Sequence, residues 1–383
     1  MSANGSRTPL PRPVRLLGWV SLLTDAATEA VYPLLPVFIT QILGGPPVAL
    51  GIVEGAADAT SSALKIVSGR WSDRLGRRKP ITVAGYALSS AVRPFIAIAS
   101  SWAQVFVIRV ADRVGKGIRS SPRDAMLAAL APPGERGRVF GYHWAMDHAG
   151  AAVGPLFATA FLWFAPDSYR LLFALTVIPG ALAVATLLRV PESERRAPLA
   201  PSIPLPTSLK RYLWIMSIFT LGNSSDAFLL LQLSNAGTPL MGLTLLWSAQ
   251  HTIKAGLSTW GGTLSDRLGR RTLIVGGWSI YALVYAGFAW STSLPALVGW
   301  FLIYSAYAAA VEGSEKALIA DLTPHQQHAT AFGWHAAVQG FGALAAGLSF
   351  GAIWQAVGAE TAFLTGAGLA LAAAVLLATS SRS

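Results

Sequence analysis

The chain has 383 residues, of which 53% are hydrophobic and only 12% are charged. Because a soluble domain carries about 25% charged residues, this composition excludes an ordinary soluble protein and indicates an integral membrane protein. The formal net charge of +11 would suggest nucleic acid as a partner of a soluble protein. In a membrane protein, excess Lys and Arg instead mark the cytoplasmic side, so we expect no nucleic-acid partner. The chain has no cysteine, which excludes disulfides and thiolate metal sites.

Apolar segments of roughly 20 residues follow one another along the chain, each long enough to cross a hydrocarbon core about 30 Å thick. The sequence before the first segment lacks a short apolar core with a cleavage site, so we expect no removable signal peptide. The twelve predicted membrane helices cover residues 15–40, 48–68, 80–100, 102–130, 139–164, 169–190, 211–234, 240–261, 272–291, 295–320, 331–356 and 361–380.

The longest polar stretch, residues 191–211, is rich in proline and charge and divides the chain near its middle. We interpret it as a cytoplasmic linker between an N-terminal six-helix bundle (residues 1–190) and a C-terminal six-helix bundle (residues 212–383). Arginine and lysine are concentrated in this linker and in alternate connections between the predicted helices. By the positive-inside rule, this pattern places both termini in the cytoplasm.

The two halves repeat one another. The stretch "GRWSDRLGRRKP" (69–80) recurs as "GTLSDRLGRRTL" (262–273), and "RVFGYHWAMDHAGAAVG" (138–154) recurs as "TAFGWHAAVQGFGALAA" (330–346). A weaker match of residues 28–35 with residues 225–232 pairs Glu29 with Asp226. Two repeats related by an axis along the membrane normal are typical of transporters whose substrate site lies at the midplane.

The repeated loop resembles the most specific signature of the major facilitator superfamily, "G-x-x-x-D-R-x-G-R-R", and both copies are complete here. The resemblance covers essentially the whole chain. It implies an all-α integral membrane protein with twelve transmembrane helices in two pseudo-symmetric six-helix bundles. Helix 4 has Arg109 where the family places an arginine, although Asp112 and Arg113 replace the usual Gln-Gly. Among the branches of the superfamily, the chain resembles prokaryotic proton-coupled efflux permeases, which reside in the cytoplasmic membrane.

Helix 5 carries a pattern of small residues that is similar to the antiporter motif of the family, namely Gly141, Gly150, Gly154 and Pro155. That resemblance implies export driven by proton entry. The paired glycines that follow in the motif are replaced here by other residues, and close helix packing explains the same pattern equally well.

The charged loops predict a gate at the cytoplasmic face. Each aspartate of the repeated motif lies near arginines and a helix end, where it can pair in one state of a transport cycle; a purely structural anchor is the alternative. The gating candidates in these loops are Asp73, Arg74, Arg77, Asp266, Arg267 and Arg270.

Six of the seven charges of helix 4 lie on about a third of its circumference, and most of the remaining surface is apolar. An ionisable residue at mid-bilayer costs roughly 2.5–3.5 kcal/mol on insertion scales, so such a face lines a cavity or meets partners. The deeper cations favour an anionic or zwitterionic small molecule, and tryptophans nearby suit a drug-like one. The substrate-binding candidates are Arg109, Asp112, Arg113, Lys116, Arg93, Lys254, His251, Trp247, His143 and Asp147.

At the cytoplasmic end of helix 4, Arg119 and Arg123 align through the repeat with the acidic region of helix 10. We expect these arginines to pair with Glu312 and Glu315 across the interface when the outer side is open. Salt bridges within each half are the alternative.

Carboxylates inside the predicted helices are candidates for proton coupling, since an acid in a gated cavity can load and release a proton. The candidates are Glu29 and Asp58 first, then Asp25, Asp226 and Glu54. Oxygen ligands for a divalent cation are the alternative use of these acids, although the adjacent cations disfavour a metal site.

Together these patterns predict a secondary active transporter that works by alternating access. The leading hypothesis is a monomeric proton-coupled antiporter in membrane lipid, exporting a small anionic, zwitterionic or drug-like molecule with a proton gradient and no cofactor. The alternatives are a proton-coupled uptake permease, an exporter of a divalent metal cation, or a membrane sensor that retains the fold. The sequence contains no phosphate-binding P-loop, nucleophile elbow or metalloprotease motif, so we do not expect an enzyme.

Overall fold

The computed structural model describes residues 10–75, 77–130, 136–192, 205–323 and 328–380, and this part of the chain is helical with no β-strand. Its helices lie close to the twelve predicted membrane segments. They are α1 (Arg12–Ile42), α2 (Pro47–Leu75), α3 (Lys79–Ile98), α4 (Trp102–Leu130), α5 (Arg136–Phe164), α6 (Tyr169–Leu188), α7 (Thr207–Asn235), α8 (Leu240–Leu268), α9 (Arg270–Trp290), α10 (Leu294–Asp321), α11 (His328–Val357) and α12 (Ala359–Thr379).

Eight of these described helices are long and apolar enough to cross a membrane by length and composition. The remaining four, α2, α4, α5 and α8, are as long but carry more polar residues. A polar helix is stable in a bilayer when apolar neighbours separate it from lipid, and its polar side chains then face the protein interior. This division predicts that the chemistry of the molecule lies on α2, α4, α5 and α8.

Equivalent helices of the two halves begin and end about 193 residues apart in the sequence. Both ends of α8 lie 193 positions after the ends of α2. The regular part of α1 ends at Glu29, and that of α7 ends at Gly222, again 193 positions later. The predicted equivalence of Glu29 with Asp226 is therefore wrong by about one helical turn. The short sequence match that suggested it ignored the helix breaks, which fix the register.

The helix breaks in α1 and α7 have local causes. In α1, Pro33 and Pro36 follow the break, and neither can donate a backbone hydrogen bond to the preceding turn. In α7, Asn223 leaves helical backbone geometry, and the helix resumes at Ala227. The broken segments of α1 and α7 lie side by side, because the side chains of Tyr32 and Ser225 share a hydrogen bond of 3.2 Å.

The halves pack most closely where α2 crosses α11. A Cβ atom placed on Gly51 would lie 1.9 Å from the carbonyl oxygen of Gly347. Only glycine allows the two backbones to approach so closely. Further along the same side of the molecule, the amide of Gln41 donates a hydrogen bond of 3.0 Å to Ser234. We call this side the far face, and the side on which Arg12 and Thr379 lie the terminal face.

Candidate functional site: a cavity between the two halves

Two adjoining cavities of about 270 and 300 Å³ lie between the halves of the molecule. Both are lined by Asp58 of α2, Asn223 of α7, Tyr307 of α10 and Ala343 of α11, so we treat them as one central cavity. Helices from each half contribute to its wall. A pseudo-symmetric transporter is expected to bind its substrate at such a place.

The central cavity is closed toward the far face by contacts between the halves. The indole nitrogen of Trp247 donates a hydrogen bond of 2.8 Å to the carboxylate of Glu29. The ring of Tyr32 packs against Trp247 with 4.9 Å between the ring centroids. These contacts, with the Gly51–Gly347 crossing, indicate a conformation in which the far side of the molecule is shut.

The C-terminal half contributes a polar and aromatic wall. The hydroxyl of Tyr304 donates a hydrogen bond of 2.7 Å to Asp226, and the amine of Lys254 lies 4.0 Å from the same carboxylate. The side-chain amide of Asn223 lies 3.4 Å from the hydroxyl of Tyr307. The charge of Asp226 is thus balanced within its own half.

The N-terminal half contributes charges that are not balanced by direct partners. Asp58 is exposed in the cavity, and Lys65 and Lys116 line its other part. None of these three side chains makes a hydrogen bond or ion pair with another residue that the structure describes. Asp58 and Lys65 are seven positions apart on α2, so they share one face with their backbones about 10 Å apart. They are therefore available to a ligand.

The deep arginines of α4 form a buried network instead of a cavity wall. Arg109 holds Glu54 of α2 through three contacts of 2.7–3.1 Å, and Arg93 of α3 lies 3.0 Å from Asp112. Arg113 lies 3.7 Å from Asp112. All five side chains are less than 10% exposed. Three arginines thus engage two carboxylates between α2, α3 and α4, which leaves one formal positive charge in the network.

This network corrects the sequence-based interpretation of α4. Arg93, Arg109, Asp112 and Arg113 line neither part of the central cavity, so the geometry does not support their proposed contact with substrate. Lys116 and Lys254, in contrast, do line it. The pattern of charges correctly identified a polar face of α4. Glu54 of α2 and Arg93 of α3 determine which residues of that face are already engaged in ion pairs.

The other substrate candidates lie beside the cavity. Trp247 belongs to the far-side closure, and the ring of His251 packs against it at 5.0 Å between centroids. His143 and Asp147 lie between α1 and α5, where Ser21 donates a hydrogen bond to Asp147 and the imidazole of His143 lies 3.7 Å from it. None of these four lines the central cavity.

The acids proposed for proton coupling fall into three environments. Asp58 and Asp226 line the cavity. Glu54 reaches its edge but is engaged by Arg109. Glu29 accepts the hydrogen bond of Trp247 in the far-side closure, and Asp25 lies one turn before it on α1, outside the cavity wall. Protonation of Asp58 therefore breaks no described ion pair, whereas protonation of Glu54 breaks a bidentate one.

The proposed gate between α4 and α10 is not formed in this conformation. Arg123 pairs with Asp124 at 2.8 Å, and Arg119 lies over the ring of Tyr86 at 4.2 Å. Glu315 is paired within its own half, 3.3 Å from His335. Because pairing of these arginines with Glu312 and Glu315 is expected when the far side opens, it stays a prediction. The side chain of Glu312 lies outside the described part of the chain.

The gating residues of the repeated loops are mostly outside the described side chains, namely Asp73, Arg74, Asp266 and Arg267. Arg77 is exposed, and Arg270 pairs with Asp321 at 3.1 Å. In the antiporter-like pattern, Cβ atoms on Gly150 and Gly154 would lie 2.4 and 2.3 Å from backbone oxygens of α1. Pro155 lies within α5, and Gly141 has no described surroundings. Close packing of α1 on α5 thus accounts for the two described glycines.

Several cavity residues were missed or underrated because they carry no charge. Tyr304 and Tyr307 are three positions apart on α10 and line the cavity together. Their signal in the sequence is a pair of aromatic residues on one helical face, which equally predicts ordinary packing. Among the described residues, no group of three or more His, Asp or Glu side chains is arranged to hold a metal ion.

Comparison with known proteins identifies relatives of this chain. The model of the Major Facilitator Superfamily matches residues 17–251 and 241–382. An uncharacterised MFS-type transporter of Methanocaldococcus jannaschii is 31% identical over 385 residues, covering 98% of this chain and 96% of that protein. The multidrug resistance protein MdtH of Photorhabdus laumondii is 30% identical over 144 residues, which cover 38% of this chain and 36% of that protein.

Solved structures agree on the fold. A crystal structure of a mutant form of the nucleoside transporter NupG superimposes with a TM-score of 0.79 at 14% identity, covering 96% of this chain and 99% of that one. At such low identity, the likeness concerns the arrangement of the helices alone.

Proposed function

We propose that this chain, which belongs to the major facilitator superfamily of membrane transporters, is a proton-coupled antiporter that exports a small charged molecule. Transport proceeds by alternating access, with the two halves rocking about the central cavity. The protein works as a monomer in the cytoplasmic membrane of a prokaryote, and the terminal face lies in the cytoplasm. The chain is not an enzyme, and the proton gradient is its energy source.

The observation that carries this proposal is the cavity between the halves in which the side chains of Asp58, Lys65 and Lys116 have no described partner. A cavity for an uncharged ligand has no need of three unpaired charges, since each costs free energy to remove from water. A ligand with charges of its own compensates them when it enters. The local similarity to a multidrug resistance protein is consistent with export, although it covers only part of the chain.

The closed far side defines the step of the cycle that this conformation represents. We assign the terminal side as the side that opens, so that, with the terminal face in the cytoplasm, the cavity receives substrate from the compartment in which an exporter collects it. Opening of the far side requires separation of Glu29 from Trp247 and of Tyr32 from Ser225. Closure of the terminal side then brings α4 and α10 together, where Arg123 and Glu315 exchange their present partners, Asp124 and His335, for each other.

Asp58 is the residue that we assign to proton coupling, with Asp226 second. Asp58 is accessible from the cavity and is not committed to an arginine, so it can exchange a proton without disrupting the fold. Asp226 shares these properties in part, but Tyr304 and Lys254 already contact it.

The test is transport in proteoliposomes with an imposed pH gradient and a panel of small anions, zwitterions and lipophilic drugs. We expect at least one compound to move against its own gradient, opposite to the proton flux. Asp58→Asn is expected to abolish the gradient-driven part while Lys210→Gln, at the exposed start of α7, leaves it unchanged. Movement of substrate in the same direction as protons would make the protein an uptake permease.

A further inference from the structure

The charges of the central cavity are separated along its length. Lys65 and Lys116 line one part together with Glu315, whose carboxylate already has a direct partner in the imidazole of His335, 3.3 Å away. Asp226, Lys254 and Glu54 line the other part. Asp58 is common to both.

Among the residues that the structure describes, the charges of the cavity that have no direct partner are therefore a carboxylate at the junction and two amines on one side of it. Counting formal charges, Glu54 is balanced by Arg109 and Asp226 by Lys254. The polar groups Tyr32, Tyr307 and Asn223 complete the surroundings of the junction. A ligand that meets all three unpaired charges needs an anionic group for the lysines and a cationic group for Asp58.

Coupling to protons in the antiport direction also requires a cationic group on the ligand. Protonation of Asp58 removes a negative charge from the cavity, so it strengthens the binding of a pure anion. Proton and anion then travel together, which is symport. A ligand with an ammonium group competes with the proton for Asp58 instead, and such competition produces antiport. A pure cation satisfies this competition but places a like charge near Lys65 and Lys116.

We infer that the substrate is a small zwitterion, bound with its ammonium group at Asp58 and its carboxylate or phosphate group at Lys116 and Lys65. This inference rests on the proposed antiport. When the ammonium group binds, the proton on Asp58 leaves to the water of the cavity, and one positive charge replaces another. The seven-residue spacing of Asp58 and Lys65 suits a zwitterion whose charges are several bonds apart, since their backbones are about 10 Å apart.

The experiment is isothermal titration calorimetry on the purified full chain with ω-amino acids from three to eight carbons. Each is compared with its methyl ester, which keeps only the cation, and with the matching fatty acid, which keeps only the anion. Titration in two buffers of different ionisation enthalpy counts the protons released. We expect one or more zwitterions to bind at least about tenfold more tightly than both analogues, with release of protons.

Variants of the cavity residues test which side chain binds each charged group of the ligand. Asp58→Asn is expected to abolish proton release and to reduce the zwitterion to the affinity of the fatty acid. Lys116→Gln is expected to reduce it to the affinity of the ester, with a further loss in Lys116→Gln/Lys65→Gln. The matched control Lys210→Gln should bind as the unchanged protein does.

Two results overturn the inference. One is a fatty acid that binds as tightly as the zwitterion with no proton release, and the other is the failure of every zwitterion in the series to bind. If a pH gradient drives export of a pure anion or a pure cation, antiport stands and the zwitterion assignment fails. If zwitterions bind with proton release but no gradient drives them, the site assignment stands and the proposed transport fails.

Discussion

The two halves share one helix arrangement but fill their interiors by different means. The N-terminal half buries an ionic network in which Arg109, Glu54, Arg93 and Asp112 satisfy one another. At the equivalent places, 192 positions later on α10 and 193 later on α8, the C-terminal half has Phe301, Tyr304 and Trp247.

The aromatic interior of the C-terminal half is continuous. Phe219 stacks on Trp278 at 4.6 Å between ring centroids, and Tyr281 stacks on Tyr285 at 4.1 Å. Aromatic side chains provide large contact areas without the desolvation cost of buried charges. The fold therefore specifies where helices cross, but either charged or aromatic side chains can fill the crossing. The C-terminal half is also expected to depend less on any single partner.

The largest expected loss of stability comes from a substitution that breaks the buried ionic network of the N-terminal half. Glu54→Leu leaves the buried guanidinium of Arg109 with only Asp112, which lies 3.8 Å away. Removing one partner of a buried ion pair costs about 3–5 kcal/mol. The double variant Glu54→Leu/Arg109→Met is expected to recover most of this loss, because both charges are gone. Thermal unfolding in detergent measures all variants, and a double variant as unstable as the sum of its singles would contradict the network.

The next effect concerns the contact between the halves. Gly51→Ala places a Cβ atom against the backbone of Gly347, and such overpacking costs about 1–3 kcal/mol. We expect the far side to open more often, so that a cysteine introduced at Ser225, which is partly buried beside Tyr32, reacts faster with a membrane-impermeant maleimide added from the far face. The chain has no other cysteine to interfere. Gly299→Ala is the control, since nothing lies within 4 Å of its Cβ position; equal labelling in both variants would show that the crossing does not hold the far side shut.

A smaller effect tests the aromatic interior. Tyr304→Phe keeps the ring and removes the hydroxyl that donates to Asp226. We expect a loss of about 1 kcal/mol, the net contribution of one hydrogen bond, because Lys254 remains near the carboxylate. Unfolding in detergent measures it beside Glu54→Leu. A loss as large as that of Glu54→Leu would remove the distinction between the two halves.

The smallest effect lies where the halves meet near the terminal face. The amine of Lys316 lies 4.4 Å from the ring centroid of Trp144 across the interface. A double-mutant cycle of Lys316→Gln and Trp144→Leu should give a coupling of about 0.5–1 kcal/mol, as for an exposed cation–π contact. Additive single effects would show that this contact does not couple the halves.

Much of the fold follows from the sequence because apolar length and repetition are local properties. The predicted start and end of α4, residues 102–130, agree with the structure. α2 and α8 continue seven residues beyond their predicted ends, since the polar start of each repeated loop remains helical. The register of α1 against α7 required the helix breaks, which a short match of residues did not reveal.

The site was predictable only in part. A helical wheel shows which residues share a face of a helix, but it does not show which neighbouring helix or cavity that face contacts. Arg109 and Lys116 lie on the same charged face of α4, yet one is buried against Glu54 and the other lines the cavity. The difference comes from partners on α2, whose position no pattern within α4 contains. Tyr304 and Tyr307 were missed because an aromatic pair on one face is typical of any packed helix.

The hydrogen bonds of Tyr32 with Ser225 and of Gln41 with Ser234 each join positions 193 residues apart. In a symmetric dimer of a single half, position 32 would meet its own copy, and a tyrosine there would have to face a tyrosine. Joining both halves in one chain removes that constraint, so a large side chain can face a small one on the same axis. The fused chain can therefore adjust the closure of its far face one residue at a time, which a pair of identical subunits cannot do.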